Sequence, residues 1–277
     1  MRRLRILLAA AAAAAVAALA AAAVPAAAQT PATPPPATMV PGVLTVGLNL
    51  PSDGFQVGAV SGTTVTFARG LEVGLAAAVG RRMGLPVQFV NVPVFSDIVA
   101  PGPKPFDLAL AQVSITSGRK QNVDFSAAYL DVDQGVLLRR GLGTTPTTLA
   151  KLKPLQLCVL QKSTGAAVVA SRVKPAKPAR TYPGVTALFQ GLETGRCDAV
   201  VYDAPTLAVL AAEVPLRVGS MAGVIATGER YGAVLPDGSP LVKTVNTVVR
   251  GLIADGTVAR LQAKWLNVNL TTLKTLS

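Results

Sequence analysis

The sequence predicts an α/β protein of two lobes joined by two extended crossings. Three observations carry that reading. Strand, helix and strand patterns follow one another closely over residues 43–115, and the same succession returns over residues 155–203. Two extended stretches, YLDVDQGVLLRR (129–140) and GVIATGERYGAVLP (223–236), lie where a chain would pass between such blocks and back. Alternating strands and helices at this spacing build mostly parallel sheets covered by helices.

The elements follow in order. VLTVGLNL (43–50) is an apolar strand, followed by a hairpin-like stretch containing glycine and threonine. Leu71, Leu75, Val79 and Met83 recur every four residues, the face of an amphipathic helix that Gly84 ends. VQFVNV (87–92), a short connection around Phe95, and FDLALAQVSI (106–115) complete the first block as strand, connection and strand. In the second block LQLCVL (155–160) is a strand, and the segment after QKSTG begins a helix. ARTYPG gives a short strand and turn. Thr186 is expected to cap the helix ALFQGLET, Gly195 to end it, and CDAVVYD (197–203) to follow as a strand. Ser239 before Pro240 predicts a helix start, serine as cap and proline in the first turn. Leu241, Val245, Val248 and Leu252 line one face of that helix, and Asp255 and Gly256 separate it from a last helix with Leu261 and Trp265. The resulting division is residues 43–132 with 226–277 as one lobe and 133–225 as the other.

The N-terminus is of another kind. Arg2, Arg3 and Arg5 precede an alanine-rich apolar run from Ile6 to about Val24, closed by Ala26, Ala27 and Ala28. That is the layout of an export signal cleaved after Ala28, with 29–42 as a proline-rich leader. The run is also long enough to serve as an uncleaved anchor, but the alanine triplet and PATPPPA suit a processed end. The chain of 277 residues carries a formal net charge of +12, most of it beyond this segment. With no block of lysines, no interleaving of basic and aromatic residues and no zinc-finger spacing, nucleic acid is not the expected partner. Cys158 and Cys197 are neighbours if their strands are adjacent, and an oxidising compartment permits a disulfide. Two separate buried thiols remain the alternative.

The usual catalytic equipment is missing. The chain has no histidine, which removes the commonest general base, the Ser-His-Asp and Cys-His arrangements and most zinc sites. No GxGxxG or Walker-type loop is present, so no nucleotide signature and no cofactor are expected. Binding is better served. Arg119, in AQVSITSGRKQNVDFS, offers a rigid fork of donors that matches a carboxylate. Ser114 and Thr116 lie at the end of the preceding strand. Ser163 and Thr164 sit where a strand enters a helix, a place whose free N–H groups favour an anion. Asp203 ends its strand and suits an ammonium group. Each residue has a plain structural use as cap or solvated side chain. Together they form two donor clusters and one acceptor at the carboxyl ends of strands, where ligands of open α/β sheets sit. A zwitterionic α-amino acid asks for that set.

At these residues the chain resembles the periplasmic binding protein-like extracytoplasmic solute-binding proteins, family 3, that deliver polar amino acids to ABC importers. The resemblance spans roughly residues 43–267. VGLNLPSDGF, GLEVGLAAAVGRRMG, FDLALAQVSITSGRKQNVDFSAAYL, LCVLQKSTG, ALFQGLETGRCDAVVYDAP and LIADGTVARLQAKWL carry it, in the family's order. It implies a periplasmic, monomeric carrier that closes on its ligand and presents it to a membrane permease. Arg119 is implied to pair with the ligand's α-carboxylate, Thr164 beside Ser163 to assist, Asp203 to take the α-ammonium, Ser114 to hydrogen-bond the ligand, and Phe95 to stack on its side chain.

The departures concern the side-chain pocket. Ser52, Asp53 and Gly54 stand before Phe55 in place of a proline pair or an aromatic, Gly74 replaces a second acid, and Lys162 replaces a glycine. Asn49 stands where binders of cationic amino acids carry an acid, and Gln112 where a small hydroxyl or glycine is common. Asn49 and Gln112 suit a neutral polar or amide side chain. The rival expectations are a same-fold binder of another small carboxylate, an exported dehydratase-like enzyme using Asp203 or Glu72 on a cyclic carboxylate, and a sensor working through a separate partner.

Overall fold

A computed structural model describes residues 37–266 and 272–277. The expected signal segment, 1–28, and the leader as far as residue 36 lie outside the described residues. β1 (Leu44–Leu48) is buried at every position, so it is a central strand covered on both faces. The hairpin β2 (Val57–Ser61) and β3 (Thr64–Arg69) is exposed at most positions. α1 (Leu71–Met83) has the predicted limits and ends at Gly84, whose φ of 69° closes it. β4 (Val87–Asn91), a short α2 (Phe95–Val99) and β5 (Leu108–Ala109) follow, then a 3₁₀ turn at Arg119–Gln121 and β6 (Val123–Phe125).

The chain then enters its second lobe through β7 (Leu130–Leu138). Next come α3 (Leu149–Leu152), β8 (Leu157–Leu160), α4 (Thr164–Val168) continued by a π-helical turn over Val169–Val173, β9 (Arg180–Tyr182) and α5 (Val185–Glu193). β10 (Ala199–Asp203) runs directly into α6 (Ala204–Glu213), and β11 (Met221–Tyr231) leads back. β12 (Val234–Pro236), α7 (Val242–Ala254) and α8 (Thr257–Trp265) complete the first lobe.

Two sheets result. The first has the order β2-β3-β4-β1-β5-β12-β6, with β1 parallel to β4 and β5. The second has the order β11-β7-β10-β8-β9, with β8 parallel to β10 and β9. The crossings β7 and β11 pair with each other antiparallel, and a bulge interrupts them between Ile225 and Glu229. At the first-lobe end Tyr129 N donates to Tyr231 O at 2.9 Å and Ile115 N to Arg230 O at 2.8 Å. The lobes are also packed together: Val209 of α6 joins the first-lobe core that holds Phe55, Leu71 and Tyr231. Cys158 and Cys197 form a disulfide with Cα atoms 5.8 Å apart, brought together by the parallel neighbours β8 and β10.

Several local expectations are corrected. FDLALAQVSI is a strand only over Leu108–Ala109, because Gln112 takes a φ of +54° and turns the chain away. Thr186 lies inside α5, whose cap is Gly184. Ser239 Oγ accepts from Leu241 N at 3.3 Å, but the turn there delays regular helix to Val242. On α7 the buried positions are Val245, Val249 and Leu252, and Val248 packs half-buried against the same core, so Val249 is an addition to the expected face. The end of the chain does not stay with the first lobe. Val224 of β11 donates to Lys274 O at 2.8 Å and accepts from Leu276 N at 2.7 Å, and Leu276 is buried in the second-lobe core. Gly223 permits this approach, since a Cβ there would meet Lys274 O at 2.4 Å.

Candidate functional site

Arg119 is held at the start of the 3₁₀ turn. Its backbone N–H donates to Thr116 Oγ1 at 3.2 Å, and its Nη1 donates to Ser114 O at 2.8 Å. The guanidinium lies over the Phe95 ring, 5.2 Å from the centroid, a cation–π stack. The side chain is half-buried, and burial lowers its pKa against the opposing pull of Asp203 and Glu229. Among the described residues no carboxylate forms an ion pair with it. A partly desolvated guanidinium with one hydrogen bond and a stacked ring is a fork still open to an anion.

Asp203 is 4% exposed at the junction of β10 and α6. Its Oδ1 accepts from Gln134 Nε2 at 2.6 Å, and its Oδ2 accepts from the Tyr231 hydroxyl. Burial pushes its carboxyl up to about 6, with Tyr231 holding it down and Glu229 pushing it further up. Gln134, from the middle of β7, also donates to Glu229 Oε1 at 3.1 Å and lies 3.3 Å from Thr164 Oγ1. Glu229 Oε2 accepts from Ser114 Oγ at 2.6 Å. One chain of contacts therefore runs from Arg119 through Ser114, Glu229 and Gln134 to Asp203 and Thr164. It joins both lobes across both crossings.

Gly165 makes room for this arrangement. A Cβ there would meet Gln134 Oε1 at 2.6 Å, so the amide lies against the start of α4 only because residue 165 is glycine. Ser163 has a different occupation: its Oγ accepts from Ala166 N at 3.1 Å and donates to Leu160 O at 2.7 Å, so it is the helix cap. Lys162 takes a φ of +57°, a left-handed conformation that a glycine would adopt without strain.

The remaining predicted positions are Asn49 and Gln112. Asn49 Nδ2 donates to Val92 O at 2.7 Å. Gln112 Nε2 donates to Thr206 Oγ1 of α6 at 2.6 Å, a contact between the lobes. In each case one amide N–H is engaged, which leaves a second N–H and the carbonyl oxygen. Behind Gln112 stands Glu72, fully buried, which accepts from Gln112 N at 2.7 Å, from Gln56 Nε2 at 3.0 Å and from the Tyr129 hydroxyl. Burial raises the Glu72 carboxyl to about 7, with Tyr129 and the Gln112 N–H holding it down.

A cavity of about 70 Å³ lies between the lobes beyond Thr206. It is lined by Pro51, Ser52 and Asp53 from one lobe and by Val185, Phe189 and Leu210 from the other, not by the charged residues. Three residues that the sequence did not single out complete the site: Gln134, Glu229 and Tyr231. Gln134 had a weak signal as a lone amide inside an apolar strand, and Glu229 as an acid within the return crossing. Neither signal named a partner.

Comparison with known proteins agrees with this architecture. The sequence profile of the bacterial extracellular solute-binding proteins, family 3, matches residues 60–268. The L-cystine-binding protein TcyJ of Escherichia coli K12 is 26% identical over 208 residues, which cover 73% of this chain and 76% of that protein. An ancestral arginine-binding protein bound to arginine superposes with a TM-score of 0.70 at 28% identity, covering 81% of this chain and 98% of the other. An ancestral arginine-binding protein bound to glutamine gives the same TM-score and identity, covering 81% and 97%.

Proposed function

The chain belongs to the bacterial extracellular solute-binding proteins, family 3, and from that premise we propose that it captures a neutral polar L-amino acid between its lobes and hands it to the permease of an ABC importer. The half-buried Arg119, stacked on Phe95 and without an ion pair among the described residues, is the observation that carries this reading. It takes the α-carboxylate, and Asp203 takes the α-ammonium with Thr164 beside it. Ser114 orients both through Arg119 and Glu229. Asn49 and Gln112 each offer an N–H and a carbonyl oxygen to the ligand side chain, which favours a side chain that both donates and accepts, as in an amide. Ser163 serves α4 rather than the ligand.

The lobes comprise residues 43–132 with the returning segment from 226, and 133–225, with 272–277 added to the second by its contacts with Val224. Asp203 and Ser114 are almost fully buried, so ligand exchange requires the lobes to separate about β7 and β11. The shift between open and closed populations is what the permease reads. The protein works as a monomer in the periplasm after cleavage beyond Ala28. It carries out no chemical step.

The test is a thermal-shift screen against L-amino acids and small carboxylates, since a ligand of the folded state raises the melting temperature. The expected result is a shift with a small set of L-amino acids that disappears in Arg119→Ala and in Asp203→Ala. A shift only with carboxylates lacking an amino group would remove the role of Asp203, and no shift in folded, ligand-free protein would remove the amino-acid reading.

A further inference from the structure

We propose that Glu229 determines ligand specificity by forming, with Asp203, a two-carboxylate seat for the ligand's ammonium group, walled by Gln134. The inference rests on the amino-acid reading above and deepens it.

The argument begins with a count of hydrogen bonds. Gln134 Nε2 has two N–H groups but three acceptors in reach: Asp203 Oδ1 at 2.6 Å, Glu229 Oε1 at 3.1 Å and Thr164 Oγ1 at 3.3 Å. With the Thr164 hydroxyl as a third donor, the inner acceptors, Asp203 Oδ1, Glu229 Oε1, Thr164 Oγ1 and Gln134 Oε1, number four against three donors. Gln134 is fully buried, and its Oε1 has no hydrogen-bond partner among the described residues. The outer oxygens are already engaged, Asp203 Oδ2 by Tyr231 and Glu229 Oε2 by Ser114. The shortage of donors is thus confined to the inner faces of Asp203, Glu229, Gln134 and Thr164. An ammonium group supplies three N–H donors.

Charge points the same way. The cluster sets two carboxylates against the single guanidinium of Arg119. A zwitterion that brings its carboxylate to Arg119 leaves its ammonium facing both acids. One carboxylate would neutralise that group, and the second adds discrimination. A ligand with a hydroxyl in place of the amine brings no positive charge to the pair and gains nothing from the second, half-buried carboxylate.

A plainer role for Glu229 is a structural latch between Ser114 and Gln134, on the rim of a hollow that Asp131 and Asp133 also line. The two roles differ in one observable. A latch acts on all ligands alike, whereas a seat acts on amines.

The experiment is isothermal titration calorimetry with the whole set of protein L-amino acids and L-cystine. The tightest of these is then compared with its 2-hydroxy acid counterpart, in the unaltered protein, Glu229→Gln and Glu229→Asp. The expected result is a loss of about tenfold or more for the amino acid in Glu229→Gln, with the hydroxy acid changed by less than about threefold. Glu229→Asp keeps the charge and is expected to keep the preference, which preserves the test should the amide variant fold poorly. Equal losses for both ligands, or no loss for either, overturn the inference and leave Glu229 a latch, with the amino-acid reading intact. Failure of every amino acid to bind the unaltered protein overturns that reading and this inference with it.

Discussion

The two lobes each hold a buried carboxylate, Glu72 and Asp203, and the surroundings of the two differ in kind. Glu72 is met by a backbone N–H, an amide and a phenol, each fixed by the first lobe itself. Asp203 shares one amide with Glu229 and Thr164, and the groups around it come from both lobes. Burial raises both groups. The lesson is that a raised carboxyl alone does not mark a ligand site. A donor supply that is complete marks structure, and one that is short marks a place left for something else.

The largest effect that could break this comparison is on stability. Glu72→Ala strands three buried donors and is expected to cost about 3–5 kcal/mol, read by urea denaturation. A loss under about 1 kcal/mol would show that Glu72 is not the keystone of its lobe. Next is the dependence on pH. The folded protein holds the Glu72 proton up to about 7, against 4.5 in the unfolded chain, so folding is favoured where that proton is bound. The contribution of Glu72 to stability is therefore full below pH 4.5 and falls by about 3 kcal/mol as pH rises to 7. Asp203, raised from 3.8 to about 6, adds a slope of the same sign. Glu72→Gln should flatten the greater part of the slope, and an unchanged slope in that variant would assign it elsewhere.

Ligand affinity should move the opposite way with pH. Asp203 must be ionised to hold an ammonium, so calorimetry should find amino-acid binding weakening as pH falls through about 6. Asp203→Ala is expected to weaken binding about a hundredfold and, by stranding the buried Tyr231 hydroxyl, to cost about 1–3 kcal/mol of stability. The smallest effect separates Ser163 from Thr164. Ser163→Ala removes a helix cap at about 1 kcal/mol of stability, with ligand affinity unchanged in the same titration. A large loss of affinity would return Ser163 to the ligand.

Much of the fold was legible where a signal repeats locally. Leu71, Leu75, Val79 and Met83, followed by Gly84, define α1 to the residue. FDLALAQVSI misled because its apolar run continues past the point where the strand ends. Gln112 is turned into a positive φ by Glu72 and Thr206, partners 40 and 94 residues away. The same physics divides the candidate site. Arg119, Ser114, Thr164 and Asp203 stand at ends of apolar stretches, where polar side chains attract notice. Gln134 and Glu229 lie inside the crossings, 95 residues apart, and acquire meaning only when the strands pair. Ser163 has the residue type of a ligand donor and the geometry of a cap, a difference that composition does not carry.

The docked end of the chain has a mechanical consequence. Leu266 belongs to the first-lobe core, and Leu276 is buried in the second. One chain end therefore has an anchor in each core, and peeling Leu276 from its seat would expose an apolar side chain that is now buried.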